Sequence, residues 1–173
     1  MTVRKIKVGS LKTNCYLLSS GGEMLVIDPG AESKKIIQRV EEVKGNPVGI
    51  INTHSHYDHV GANKELKNHF KIEVLDSKDN LKIGDLNLKI IETPGHKNDC
   101  ICIIGEDFSF TGDTIFKEVH GRVDLDEGSI KKMEKSLEKL SDNLEIGMTI
   151  YPGHGESFEL KSKNLKNKYL KDA

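Results

Sequence analysis

The sequence predicts a layered α/β sandwich, a reading that rests on three observations. Short strand-like stretches occur in both halves of the chain, each half is closed by segments of helical periodicity, and 173 residues with 36% apolar side chains provide the core of one domain. Two strand sets with their own helices favour stacked layers over a doubly wound parallel sheet. The expected unit is a single domain spanning residues 1–173.

The elements follow in chain order. Val3 to Val8, Cys15 to Leu18 and Met24 to Asp28 read as strands, with Gly21-Gly22 as a turn and Pro29-Gly30 as a stop. Ile36, Ile37, Val40 and Val43 have helical spacing from Ser33 onward, and Gly45-Asn46-Pro47 ends the segment. Val48 to Ile51 is an apolar run too short for a helix, hence a buried strand. Ala62, Leu66 and Phe70 predict a helix, Ile72 to Leu75 a short strand, and Leu86 to Thr111 a β-rich stretch broken at Pro94-Gly95. Ile130, Met133, Leu137 and Leu140 predict a second amphipathic helix, Thr149 to Tyr151 a last strand, and the lysine-rich C-terminal stretch a helical tail with a solvated face.

Composition narrows the function. A net charge of −1, from 26 basic and 27 acidic residues, argues against a general nucleic-acid binder, which needs a strongly positive face. No segment has the form of a signal peptide or reaches the roughly 18 apolar residues of a membrane span, so a cytoplasmic location and no membrane partner are expected. Cys15, Cys100 and Cys102 are odd in number and lack a C-x-x-C pair, which points to buried free thiols rather than disulfides or thiolate zinc ligation.

The chemistry lies in the histidines. His54, His56 and His59 occur in T-H-S-H-Y-D-H-V-G with Asp58, His96 in T-P-G-H, Asp113 in F-T-G-D-T and His154 in Y-P-G-H-G. On an extended segment His54 and His56 point to the same side, as two ligands of one ion must, whereas Asp58 and His59 need a turn to converge. Glycines beside His96, Asp113 and His154 permit the tight turns that present a side chain to a cleft. Seven nitrogen and oxygen donors exceed the needs of one divalent ion and suit two; without cysteine they suit an open catalytic site for zinc, or for iron or manganese. His69 and His120 fall outside the pattern.

These residues resemble the metallo-β-lactamase superfamily, whose hallmark is H-x-H-x-D-H followed by single His, Asp and His ligands. The resemblance runs from the G-x-x-x-x-N-C-Y stretch at Gly9 to the P-G-H-G at Pro152. It implies a four-layer αββα sandwich, with His54, His56 and His96 on a first metal, Asp58, His59 and His154 on a second, and Asp113 bridging them. Aspartate at position 113, the T-G-D-T-I-F string and Gly121-Arg122 resemble the short glyoxalase II-like hydrolases rather than the true β-lactamases, which commonly carry cysteine at the corresponding ligand position. Two departures are the absence of a counterpart to the C-terminal helical region with which glyoxalase II binds glutathione, and Lys97-Asn98-Asp99-Cys100 in place of a small, glycine-containing turn.

The expected activity is therefore metal-dependent hydrolysis of a small-molecule thioester or related acyl bond. Two divalent ions carry +4, offset to +2 by Asp58 and Asp113 and to +1 by a bridging hydroxide, and a positive site favours an anionic transition state. The hydroxide would attack the carbonyl while Asp58 orients it. Tyr57, Lys117 and Arg122 are candidate substrate-binding residues, the two cations because they follow Asp113 closely enough to meet a substrate carboxylate. Two other activities use the same donors: an iron-dependent oxygenase resembling persulfide dioxygenases, with His54, His96 and Asp113 on one iron, and a two-metal phosphodiesterase or nuclease.

Overall fold

The computed structural model describes residues 1–76 and 80–170. They fall into two compact units, Met1–Leu88 and Lys89–Ala173.

The first unit holds a four-stranded sheet of β1 (Thr2–Val8), β2 (Thr13–Ser20), β3 (Glu23–Ile27) and β4 (Pro47–Ile51), in that order. β1 to β3 form an antiparallel meander, and β4 joins β3 in parallel after the crossover through α1 (Ser33–Glu42). The core of this unit follows from period-2 alternation: Cys15 and Leu17 of β2, Met24 and Val26 of β3 and Ile50 of β4 pack with Ile36 and Val40 of α1. Leu66 of α3 (Asn63–Phe70) completes it. Between β4 and α3, the histidine motif itself forms a single helical turn, α2 (Tyr57–Val60). The hairpin β5 (Leu81–Ile83) and β6 (Leu86–Glu92) ends the unit, with β6 crossing into the next.

In the second unit the sheet runs from β6 through β7 (Ile101–Ile104) and β8 (Phe108–Gly112) to β9 (Thr149–Pro152) and β10 (Phe158–Glu159). β8 and β9 are parallel, linked through α4 (Ile130–Asn143), whose first turn is capped by the Ser129 hydroxyl accepting from the Lys132 N–H. Met133, Leu137 and Leu140 bury the apolar stripe of α4 against Ile91, Cys102 and Ile150. Leu137 is 0% exposed, so Leu137→Ala should lower stability by about 2–5 kcal/mol, the cost of lost burial plus a residual cavity. Urea unfolding monitored by circular dichroism checks this; a smaller loss would mean that the neighbours collapse into the space.

The expected strand at Ile72 to Leu75 is reduced to one parallel bridge, Ile50 to Val74, with backbone bonds from Ile50 to Glu73 and from Leu75 to Ile50. Lys71, in the left-handed conformation, ends α3 immediately before it and leaves little length for pairing. The C-terminal helix α5 covers only Leu165–Tyr169, and its Lys166 makes exposed ion pairs with Glu134 and Glu138 of α4. All three cysteines are free and buried. No helix among the described residues is long and apolar enough to cross a membrane.

Candidate metal centre

Each unit carries its donors at the C-terminal ends of a parallel strand pair, where neighbouring chain ends diverge and leave room for loops. In the first unit the pair is β3 and β4, joined in register Ile27 to Ile51, with the Asp28 N–H bonded to the Ile51 carbonyl just beyond. β3 delivers Asp28 and β4 delivers His54, His56 and, through α2, Asp58 and His59.

Asp28 organises this group. Its carboxylate is 1% exposed; Oδ1 accepts from the Thr53 N–H at 2.7 Å and Oδ2 from the Thr53 hydroxyl at 2.7 Å. His59 Nδ1 stands 3.0 Å from the same Oδ2, which favours a proton on Nδ1 and leaves the Nε2 lone pair facing Asp58 Oδ2 at 3.6 Å. Because the Thr53 hydroxyl donates to Asp28, it can only accept from His54 Nδ1 at 3.2 Å. That places the lone pair of His54 on Nε2, 2.9 Å from His56 Nδ1. One buried carboxylate thus stands against both the Thr53 hydroxyl and His59 Nδ1.

The second unit repeats the scheme with β8 and β9, whose ends meet at Gly112 and Pro152. Asp113 follows β8 directly, His154 follows β9, and the Gly153 N–H bonded to the Gly112 carbonyl holds the two turns together. His96 arrives from the loop after β6, which α4 anchors: the Ser129 N–H donates to the Gly95 carbonyl and the Ser136 hydroxyl to the Pro94 carbonyl. His96 Nδ1 donates to the Arg122 carbonyl at 2.8 Å, so its Nε2 is turned to Asp113 Oδ2 at 3.6 Å, and His154 Nε2 lies 3.5 Å from that oxygen. Gly121 makes this approach possible, because a Cβ there would strike the Asp113 carbonyl and press on the His96 side chain.

These distances are too long for good hydrogen bonds but match the spacing of two donors on one cation: bonds of about 2.0–2.2 Å at a tetrahedral angle separate ligand atoms by roughly 3.3–3.5 Å. With neutral imidazoles presenting lone pairs and carboxylates presenting oxygens, both groups have the chemistry of divalent-metal ligands.

The candidate substrate residues have different settings. Lys117 lines a cavity of about 450 Å³ with Phe116, Glu118, His154, Gly155 and Glu156. Tyr57 is 71% exposed in the middle of the histidine motif. The Arg122 guanidinium is bidentate on Asp124 at 3.0 and 2.8 Å, a bond that holds the Asp124 carboxyl down to about 2, while its backbone carbonyl orients His96. Of the histidines outside the pattern, His69 pairs with Glu41 at 3.5 Å and His120 Nδ1 donates to the Gly121 carbonyl. Sequence reasoning passed over Asp28, which reads as an ordinary strand end before Pro-Gly, and Thr53, which reads as the residue before a motif; a buried Asp with a positive φ of 50° is visible only once the chain is folded.

Comparison with known proteins bears on the family and the fold. Residues 8–75 match the family described as "Metallo-beta-lactamase superfamily". The hydroxyacylglutathione hydrolase GloC of Haemophilus influenzae is 27% identical, with 98% of each chain covered. The hydroxyacylglutathione hydrolase of Erwinia tasmaniensis is 31% identical over 86% of this chain and 73% of its own length. Among solved structures, the BLEG-1 B3 metallo-beta-lactamase superposes with a TM-score of 0.85 at 23% identity, covering 91% of this chain and 94% of its own. The fold, the H-x-H-x-D-H motif, His96 after β6, and Asp113 and His154 at the ends of the second strand pair lead to one assignment: the chain belongs to the metallo-beta-lactamase superfamily.

Proposed function

We propose that this metallo-hydrolase cleaves a thioester or related acyl bond with two divalent cations held by His54, His56, His96, Asp58, His59, His154 and Asp113. The observation that carries the reading is the donor set itself: His54, His59 and His96 each have Nδ1 placed against an oxygen, which leaves Nε2 as the ligand atom. The choice of bond is supported by the near-complete coverage between this chain and a protein named as a hydroxyacylglutathione hydrolase.

Bound at these donors, two divalent cations would supply a water of pKa about 7 and a Lewis acid for the carbonyl oxygen. The protein's own part is positional. Asp58, whose side chain is 14% exposed, would help hold a cation and would accept a hydrogen bond from the attacking water, fixing its direction. Lys117, beside His154 in the cavity, meets an anionic group of the substrate. Arg122 joins it by exchanging an ion pair with Asp124 in which both side chains are about two-thirds exposed, so solvent already competes for the contact. Tyr57 offers a ring edge to the acyl part.

Elemental analysis and turnover on the same sample test the proposal. The expected result is two ions per chain, hydrolysis of a hydroxyacyl thioester that is lost on demetallation, and an Asp58→Asn variant that keeps its ions but turns over about 10²–10⁴-fold more slowly. Full turnover after rigorous demetallation, or unchanged turnover in metal-loaded Asp58→Asn, overturns it. One iron per chain with oxygen uptake on a persulfide, or cleavage of a phosphodiester but no thioester, would place the protein in another branch of the superfamily.

A further inference from the structure

We infer that Thr13, at the tip of the β1–β2 hairpin, is the positioning residue for Asp58, selecting the carboxylate oxygen that joins His59 at the second cation. This rests on the two-cation reading above and adds a residue to it.

Thr13 opens β2 on the face that continues as Cys15 and Leu17, both part of the apolar core of the first unit. It is 0% exposed. A fully buried position on an apolar face is where valine belongs, and a hydroxyl there costs free energy unless it is hydrogen-bonded. The hydroxyl donates to Asp58 Oδ2 at 2.7 Å, across 45 residues of sequence. That same oxygen faces His59 Nε2 at 3.6 Å, the separation of two donors sharing an ion.

The hairpin is built to hold the hydroxyl still. The Lys12 N–H closes the turn on the Gly9 carbonyl, the Gly9 N–H donates to Glu32 Oε2 at 2.8 Å, and Val8 pairs with Thr13 in the ladder. α2 is fixed in turn, since the Asn52 amide donates to the His59 carbonyl at 2.9 Å and the Ala62 N–H to the Pro29 carbonyl. With both backbones pinned, the Thr13 hydroxyl proton acts on the rotation of the Asp58 carboxylate. A ligating carboxylate that loses such a partner typically binds its metal 10–100-fold more weakly.

The test compares wild type with Thr13→Val, Thr13→Ser and Thr13→Ala, using stepwise zinc removal by a competing chelator together with kcat and KM. Circular dichroism confirms folding, and Thr13→Ala substitutes for the valine variant if that one does not fold. In Thr13→Val, zinc affinity at one of the two sites should fall about 10–100-fold with the other unchanged, kcat should fall with KM preserved, and Thr13→Ser should restore both. Wild-type zinc binding in folded Thr13→Val, equal losses at both sites, or failure of serine to rescue overturns the assignment. A wild-type chain that takes up fewer than two zinc ions overturns the two-cation reading beneath it and the assignment with it, so the two failures are told apart by the wild-type titration.

Discussion

Gly30→Ala should lower kcat/KM by at least about 100-fold, although Gly30 donates nothing to the site. The reason is space. A Cβ built on Gly30 would overlap the Asp58 carbonyl, and Gly61 lies as close on the other side, its own Cβ striking the Gly30 carbonyl. The loop after β3 and the helical turn α2 therefore touch backbone to backbone. Inserting a methyl must push α2 aside, carrying Asp58 and His59 with it, and a displacement near 1 Å is enough for such a loss when reacting groups must be aligned. Stability should fall less steeply, by about 1–3 kcal/mol, as for other overpacked sites. Steady-state kinetics on the metal-loaded variant, with thermal unfolding alongside, check both. If turnover survives while stability falls, α2 re-seats itself without disturbing the site.

Asp28→Asn should weaken cation binding at both positions by about 10–100-fold each and leave little turnover at ordinary metal concentrations. Asparagine keeps the shape of Asp28, and its carbonyl oxygen can still accept from the Thr53 N–H. Its amide nitrogen would then face the Thr53 hydroxyl, which donates to Asp28 Oδ2, and His59 Nδ1, which stands 3.0 Å from the same oxygen. To relieve that clash of donors, Thr53 turns its proton toward His54 and His59 moves its own to Nε2. Each histidine would then lose the lone pair that faces the cation. The cost to folding should be about 1–3 kcal/mol, because the buried partners lose their acceptor. Chelator competition reads the two affinities, and ¹⁵N spectra of the histidine rings report the tautomers directly. Wild-type affinity with wild-type ring spectra would remove Asp28 from this role. Loss at a single site would show that the Thr53 link to His54 carries no weight.

Wherever local pattern and tertiary demand coincide, the sequence was readable. α1 and α4 show their buried stripes at Ile36 and Val40, and at Met133, Leu137 and Leu140. β4 shows itself as an apolar run because it is buried along its last three residues. Ile72 to Leu75 looked like the same kind of strand, yet forms a single bridge, since pairing needs a partner edge of matching length and not only β-formers. The lysines of the five-residue α5 suggested a solvated face, where Lys166 indeed lies, while the exposed α4 carboxylates that pair with it lie too far off in sequence to be foreseen.

The residues able to hold a metal were legible for a chemical reason: few roles other than metal ligation require histidine and aspartate at such spacing. The residues that hold those donors were not. A buried threonine at a strand start, an aspartate before Pro-Gly and a glycine in a loop each have many ordinary uses. Thr13, Asp28 and Gly30 take on theirs only by meeting Asp58, Thr53 and His59 across 25 or more residues of chain. Folding decided those meetings, because hydrogen-bond direction and steric contact depend on positions in space, whereas the sequence carries only identity and order.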